Sequence, residues 1–249
     1  MKYHIAIPSY QRSNLIKEKT LAYLLKTDVD PKSITVFLAN NKELKEYTAM
    51  KLGVKLVVGK ETLCAQRKFM RRYYPSGGLV FFIDDDIEGI YTFTTDRWPS
   101  MVPIIKLDKL IKESFNICAT FNCSLWGIYP VLNPLFIFNH RSSFDLKYIC
   151  GAVYGEVIDR DTFLDVTMED KEDFERTIRH FIKNLSVFRW NHISMKTRYY
   201  LEDGGMQVTR TKERVSSSAN KLVSMFPNHC VLNKSKRNQD FAEVKLIKQ

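Results

Sequence analysis

The chain has 249 residues, 45% of them hydrophobic and 12% aromatic, with 38 Lys and Arg against 28 Asp and Glu for a net charge of +10. That length suits one large α/β domain or two small ones, the apolar share supports a substantial core, and the positive balance favours polyanions such as nucleic acid or phosphorylated substrates. The five cysteines (Cys64, Cys118, Cys123, Cys150 and Cys230) form no CxxC pair and no regular framework. They argue for reduced thiols in a cytosol and against a disulfide scaffold or zinc finger. The apolar IAIP after His4 is too short for a signal segment, and no apolar run approaches the ~20 residues that cross a bilayer. A cytoplasmic protein without membrane contact is expected.

In chain order, His4–Pro8 is a short apolar strand that runs into the polar turn SYQRSN. LIKEKTLAYLLK carries apolar residues at 15, 16, 21, 22, 24 and 25, the face of a helix that Val29-Asp30-Pro31 breaks. SITVFL at 33–38 is a second strand, 42–52 a helix stopped by Gly53, and VKLVVG a third strand. Thr62–Tyr74 forms a basic helix that Pro75-Ser76-Gly77-Gly78 ends, and Leu79–Ile83 is a fourth strand. Strand and helix alternate, and the strands are apolar on both sides, which predicts parallel strands buried between helices.

Beyond residue 90 the pattern loosens. It predicts a helix over 104–121, strands at Ser124–Ile128, Leu135–Phe138 and within Tyr148–Ile158, and a strongly amphipathic helix over Asp170–Asn184. The chain from Leu201 reads as irregular. With no repeat, low-complexity segment or linker, one domain over 1–249 is expected.

The informative stretch is LVFFIDDDIEGI at 79–90, a buried run that ends in three acids. Open α/β sheets place their ligands at the carboxyl ends of strands. Carboxylates this close repel one another unless a cation or hydrogen-bond donors share the site. Asp84 and Asp86 have the period-two spacing that puts both on one side, where Mg²⁺ or Mn²⁺ takes hard oxygen ligands and bridges phosphates. A second acidic stretch, Met168-Glu169-Asp170, opens the amphipathic helix. Spacing alone reads Asp170 as the helix cap, with Glu172 and Asp173 as favourable first-turn charge.

Together IPSYQRSN, AQRKFMRRYY and FFIDDDI resemble a GT-A fold nucleotide-sugar glycosyltransferase, with IDDDI as its DXD motif. More narrowly, LWGIYPVLNP, MEDKEDFERTIRHF, YYLEDGGMQ and SMFPNHC, in that order, resemble the phage TET/JBP-associated DNA-base glycosyltransferase group. The resemblance spans roughly residues 3–230 and implies a nucleotide-binding half, 1–90, followed by an acceptor-binding and catalytic half, 91–249. It implies an inverting, Mn²⁺- or Mg²⁺-dependent enzyme that moves a sugar from a UDP-sugar to a hydroxymethyl pyrimidine in double-stranded phage DNA, within the infected host's cytoplasm. The alternative is the same chemistry on a glycan or small molecule. From a different class, a non-catalytic nucleic-acid binder would need the acids only for structure, and a metal-dependent nuclease lacks a second acid and lysine cluster.

Carried onto this sequence, the resemblance makes Pro8, Tyr10 and Arg12 a wall for base and ribose, although Tyr10 also suits a plain turn. Asn40 stands where an acid is usual near the base. Gln66, Arg67, Asp84 and Asp85 would bind the donor, leaving Lys68, Arg71 and Arg72 for a solvated or DNA-facing surface. Asp84, Asp86 and His229 would hold the metal. Asp170 becomes the first choice for general base and Glu169 the second. Trp126, Tyr129, Asn133, Gly151, Gly155 and Gly204-Gly205 would shape the sugar or acceptor pocket, Trp126 being otherwise an ordinary core aromatic.

Overall fold

The computed structural model describes residues 1–93, 100–133, 142–197, 211–233 and 243–247. Within them, β1 (His4–Ser9) leads into α1 (Ser13–Ile16), a π-helical turn (Lys17–Leu21) and α2 (Ala22–Leu24). β2 (Ile34–Leu38), α3 (Asn41–Ala49), β3 (Lys55–Val58), α4 (Leu63–Tyr73) and β4 (Leu79–Ile83) follow. The second half runs β5 (Gly89–Phe93), β6 (Met101–Pro103), α5 (Leu107–Thr120), β7 (Leu125–Tyr129), β8 (Ser142–Ser143), β9 (Val153–Val157) and α6 (Glu172–Asn184). It closes with β10 (Phe188–Lys196), α7 (Lys212–Met225), β11 (Cys230–Leu232) and β12 (Val244–Leu246).

The main sheet has the order β3-β2-β1-β4-β9-β7-β10-β5-β6, with β8 on β10. β3, β2, β1 and β4 are mutually parallel, as the sequence predicts. β9 lies antiparallel between β4 and β7, so β7 points the same way as β4. The start of β9 therefore meets the carboxyl ends of its two neighbours.

Period-two alternation divides the apolar residues between two cores. Ile5, Ile7, Val36, Phe81 and Ile83 face one side with Leu21, Leu24, Ile111 and Phe115. Ala6, Phe37, Val80 and Phe82 face the other with Met70, Ile178, Ala219 and Leu222. Thus α1, α2 and α5 cover one face, and α4, α6 and α7 the other. Thr62 caps α4 by accepting the Ala65 N–H at 3.3 Å, which fixes the start of the helix that carries Arg67.

Several elements depart from the sequence expectation. α7 and the β11–β12 pair stand in a stretch that reads as irregular, because Lys212–Met225 buries only Val215, Ala219 and Leu222. β10 was not expected either. The predicted helix from Asp170 starts at Glu172, behind Lys171 in the left-handed region (φ 65°). The expected strand at 135–138 and Gly204-Gly205 lie outside the described residues. No helix among those described is long and apolar enough to cross a membrane.

Candidate active site

At the end of β4 the three acids take different roles. Asp85 turns inward and is 4% exposed. Ser9 Oγ donates to its Oδ2 at 2.6 Å, and Arg12 Nη1 donates to its Oδ1 at 3.0 Å. Burial pushes the Asp85 carboxyl up to about 7 against the pull of Arg12 and Ser9. The same Arg12 nitrogen lies 3.4 Å from Asp86 Oδ2. Burial and then repulsion from Asp84 raise Asp86 as well. Thr20, in the π-helical turn, fixes the backbone of this corner: its Oγ1 donates to Asp84 O at 2.7 Å and accepts the Ile87 N–H at 2.9 Å. These contacts define the surroundings of two residues expected at the donor. Asp85 anchors the turn from beneath, and Arg12 is held by the acids.

Asp84 faces outward, its side chain 31% exposed, and accepts Arg67 Nη2 at 2.7 Å. Arg67 is itself buried and is the hub of the site. Nη2 also donates to Gly151 O at 3.0 Å, and Nε lies 3.6 Å from Glu172 Oε1. Glu172 Oε2 in turn accepts Arg176 Nη1 at 2.6 Å, one helical turn on. The Arg176 guanidinium lies 3.8 Å over the Tyr154 ring, which also meets Arg67 at 5.7 Å and stacks on Phe82 at 4.6 Å. Tyr154 offers π-density to the Arg176 Nε and Nη2, which have no hydrogen-bond acceptor among the described residues. Gly151 is needed here: a Cβ would stand 2.8 Å from Glu172 Oε1.

This linkage brings the first turn of α6 beside the acidic corner. Asp173 Oδ2 accepts the Tyr148 hydroxyl and, at 3.5 Å, the Gly151 N–H, while Oδ1 accepts the Phe174 N–H at 2.9 Å. Asp170 is elsewhere engaged. It is buried, does not cap α6, and accepts Arg214 Nε of α7 at 2.5 Å. Glu169 Oε2 accepts the Cys64 N–H at 3.0 Å and so closes the amino end of α4. The acidic pair that meets the site is therefore Glu172-Asp173, which the sequence reading took for helix-start charge. Its signal was the Glu172/Arg176 spacing of four.

The other expected residues divide likewise. Pro8 and Tyr10 are half-buried around the end of β1, beside Gln11 in the left-handed region (φ 56°). Asn40 caps α3 by accepting the Lys42 and Glu43 N–H groups at 3.1 Å and donates to Glu61 at 3.2 Å. Gln66 is buried, with Oε1 accepting the Lys60 N–H at 2.7 Å. Arg71 is no surface cation: it is buried between Glu156 and Asp165, at 2.6 and 2.8 Å. Trp126 is a core residue stacked on Phe81, and Gly155 makes room for it, since a Cβ would stand 2.0 Å from its Nε1. Tyr129 ends β7 at the ligand end of the sheet, and Asn133 follows, half-buried. His229 lies against Phe181, ring centroids 6.4 Å apart. Phe181 is about 14 Å along α6 from Glu172, so His229 packs toward the far end of that helix from the Arg67–Glu172 contact.

Among the described residues no three His, Cys, Asp or Glu side chains form a closed metal cluster. Asp84 and Asp86 suit an open one. Mg²⁺ and Mn²⁺ accept one or two carboxylates and complete their shells with phosphate oxygens and water. The repulsion that Asp84 exerts on Asp86 is what a cation relieves.

No family model and no curated protein matches the sequence. Solved structures do. Staphylococcus aureus TarS 1-349 in complex with UDP-GlcNAc aligns with 90% of this chain and 67% of its own, at 14% identity and TM-score 0.57. Another structure of TarS 1-349 aligns over 59% of its length, so the chain spans well under two thirds of that relative. Glucosyl-3-phosphoglycerate synthase from Mycobacterium tuberculosis, bound to Mn²⁺, UDP and glucosyl-3-phosphoglycerate, covers 99% of this chain and 87% of its own at 11% identity and TM-score 0.53. A Pyrobaculum calidifontis mannosyltransferase with GDP-Man and Mn²⁺ covers 89% and 64% at 12% identity and TM-score 0.53. At such identities the likeness is one of architecture: the chain has a GT-A-type α/β fold.

Proposed function

We propose that the protein is an inverting glycosyltransferase that moves a sugar from a nucleoside diphosphate to an acceptor hydroxyl. The observation that carries this reading is Arg67, which bonds Asp84 at the end of β4 and approaches Glu172 on α6. An acidic corner for a diphosphate and, through Glu172, the first turn of α6 with the Asp173 carboxylate thus share one site. Asp173 would take the acceptor's proton as the acceptor oxygen attacks the anomeric carbon. The bond from that carbon to the diphosphate oxygen breaks, and the nucleoside diphosphate leaves with the electron pair. Asp84 and Asp86 would hold Mn²⁺ or Mg²⁺, which when bound would supply positive charge to the leaving diphosphate. Arg67 orients Asp84 for this, and Arg12 with Asp85 holds Asp86 in place.

For the acceptor, a glycan or small-molecule hydroxyl is the better supported choice, since a structure of this fold is bound to the small-molecule glycoside glucosyl-3-phosphoglycerate. The net charge of +10 favours a second reading, a hydroxymethyl pyrimidine in duplex DNA. The decisive assay is a panel of UDP- and GDP-sugars with Mn²⁺, scored by nucleoside diphosphate release, alone and with hydroxymethylated DNA read by nucleoside mass spectrometry. Release that Asp86→Ala abolishes supports the transferase. A wild-type protein that neither binds UDP–Mn²⁺ nor releases diphosphate from any donor sinks it. DNA left unmodified under every donor removes the second reading.

A further inference from the structure

The proposed base sits in a hydrogen-bond arrangement that is not symmetric between its two oxygens. Asp173 Oδ2 accepts two donors, the Tyr148 hydroxyl and the Gly151 N–H. A carboxylate oxygen offers two in-plane lone pairs, so Oδ2 is filled. Oδ1 accepts one, the N–H of its own successor Phe174, and keeps a lone pair open. Tyr148 is itself locked. Its ring stacks on Phe174 at 4.3 Å, and its carbonyl accepts Arg189 Nη1 at 3.1 Å. Gly151 is likewise fixed, its carbonyl bound by Arg67, which holds Asp84.

We propose that Tyr148 is a positioning residue that selects Oδ1 of Asp173 as the oxygen that receives the acceptor's proton. The inference rests on the transferase reading and on Asp173 as its base. A carboxylate free to rotate about Cβ–Cγ presents either oxygen, in an orientation the acceptor must wait for. With Oδ2 filled by a rigid phenol and a backbone amide, rotation loses both bonds. The open lone pair is then held on one bearing, while Gly151 ties the filled oxygen through Arg67 to Asp84. Tyr148 touches neither donor nor acceptor in this scheme; it acts through Asp173. The proton passes from the acceptor oxygen to Oδ1, the new bond forms from that oxygen to the anomeric carbon, and the diphosphate departs.

The test uses water as the acceptor, so no acceptor need be identified: nucleoside diphosphate release from the best donor of the panel, with Mn²⁺. Tyr148→Phe removes one hydroxyl and keeps the stack on Phe174, so the melting temperature should hold. It is expected to lower kcat by about 10- to 100-fold, the scale of a misplaced catalytic group, with donor KM unchanged within about twofold. Asp173→Asn should fall by about 10²–10⁴, and the double variant should be no slower than Asp173→Asn. A wild-type kcat in Tyr148→Phe overturns the inference and leaves the base assignment standing. So does a loss that multiplies in full with that of Asp173→Asn, or one carried by donor KM. Wild-type turnover in Asp173→Asn removes the base, and the inference with it. A wild type that neither binds UDP–Mn²⁺ nor releases diphosphate from any donor removes both together with the transferase reading.

Discussion

Arg214 Nε donates to Asp170 Oδ2 across 2.5 Å, tying the first turn of α7 to the loop before α6. A carboxylate so held serves architecture. Asp170→Ala should lower stability by about 1–3 kcal/mol, the worth of a hydrogen bond to a charged group, and leave turnover per folded molecule near wild type. Urea unfolding and an active-site titration check this. A folded Asp170→Ala protein with turnover reduced a thousandfold would restore Asp170 as the base.

Arg67 is the buried partner of both Asp84 and Glu172. Arg67→Leu leaves Glu172 buried with only Arg176 and should cost about 3–5 kcal/mol, as loss of one member of a buried ion pair does. Adding Glu172→Gln removes the stranded charge and should recover part of the loss. Denaturant midpoints of the two single variants and the double variant decide it, and simple additivity would show that Arg67 and Glu172 do not interact.

The ligand end of the sheet is readable up to the acids and unreadable just past them. Buried parallel strands appear as unbroken apolar runs, so β1 to β4 and the position of Asp84–Asp86 follow from pattern. The inward turn of Asp85 does not, because its partners Ser9 and Arg12 lie 76 and 73 positions away. The choice between Asp170 and Asp173 depends on where α6 begins. Each residue rotates a helix by about 100°, and a start two residues later than expected, behind Lys171 at φ 65°, decides which carboxylate meets the site. α7 escaped because its one buried stripe is interrupted by Ser216-Ser217-Ser218.

Between the cores, His180 Nε2 lies 3.5 Å from Glu156 Oε1, and its Nδ1 is 2.8 Å from Ser124 Oγ. Burial lowers the His180 imidazole below its usual 6.5. The native state then binds fewer protons than the unfolded one just under pH 6.5, so this contribution is full above 6.5 and lost as pH falls. For Glu156, burial raises the carboxyl but Arg71 and His180 more than offset it, holding it at about 2. That contribution is present above 4.5 and lost toward pH 2. Asp85, raised to about 7, acts in the opposite sense between its unfolded value and 7. The comparison therefore sets wild type against His180→Gln. The stability advantage of wild type should grow from pH 5.5 to 7.5, by at most about 1.4 kcal/mol per unit. An advantage independent of pH would mean that His180 does not titrate in that window.

Leu185 follows the end of α6 in the left-handed region, φ 55°, with 77% of its surface exposed. A branched side chain there costs about 1–2 kcal/mol and buries little. Leu185→Gly should stabilise the fold by about 0.5–1 kcal/mol after the greater freedom of glycine in the unfolded chain is counted. At about 2–4 °C per kcal/mol, calorimetry resolves the shift. A lower melting temperature would show that Leu185 packs in a way its exposure does not suggest.

The antiparallel insertion of β9 has a consequence for the nascent chain. β4 pairs with β1 along one side through residues 80–82, and its other side, Leu79 to Ile83, finds no partner until Val153–Val157 is synthesised. For the intervening stretch of translation, LVFFI is an uncharged, aromatic-rich open edge, the kind of segment that recruits other chains. The strand that completes the site is also the strand that covers this hazard. A ribosome that stalls between residues 90 and 150 would leave a half-sheet already paired internally yet adhesive along β4, a natural client for a chaperone.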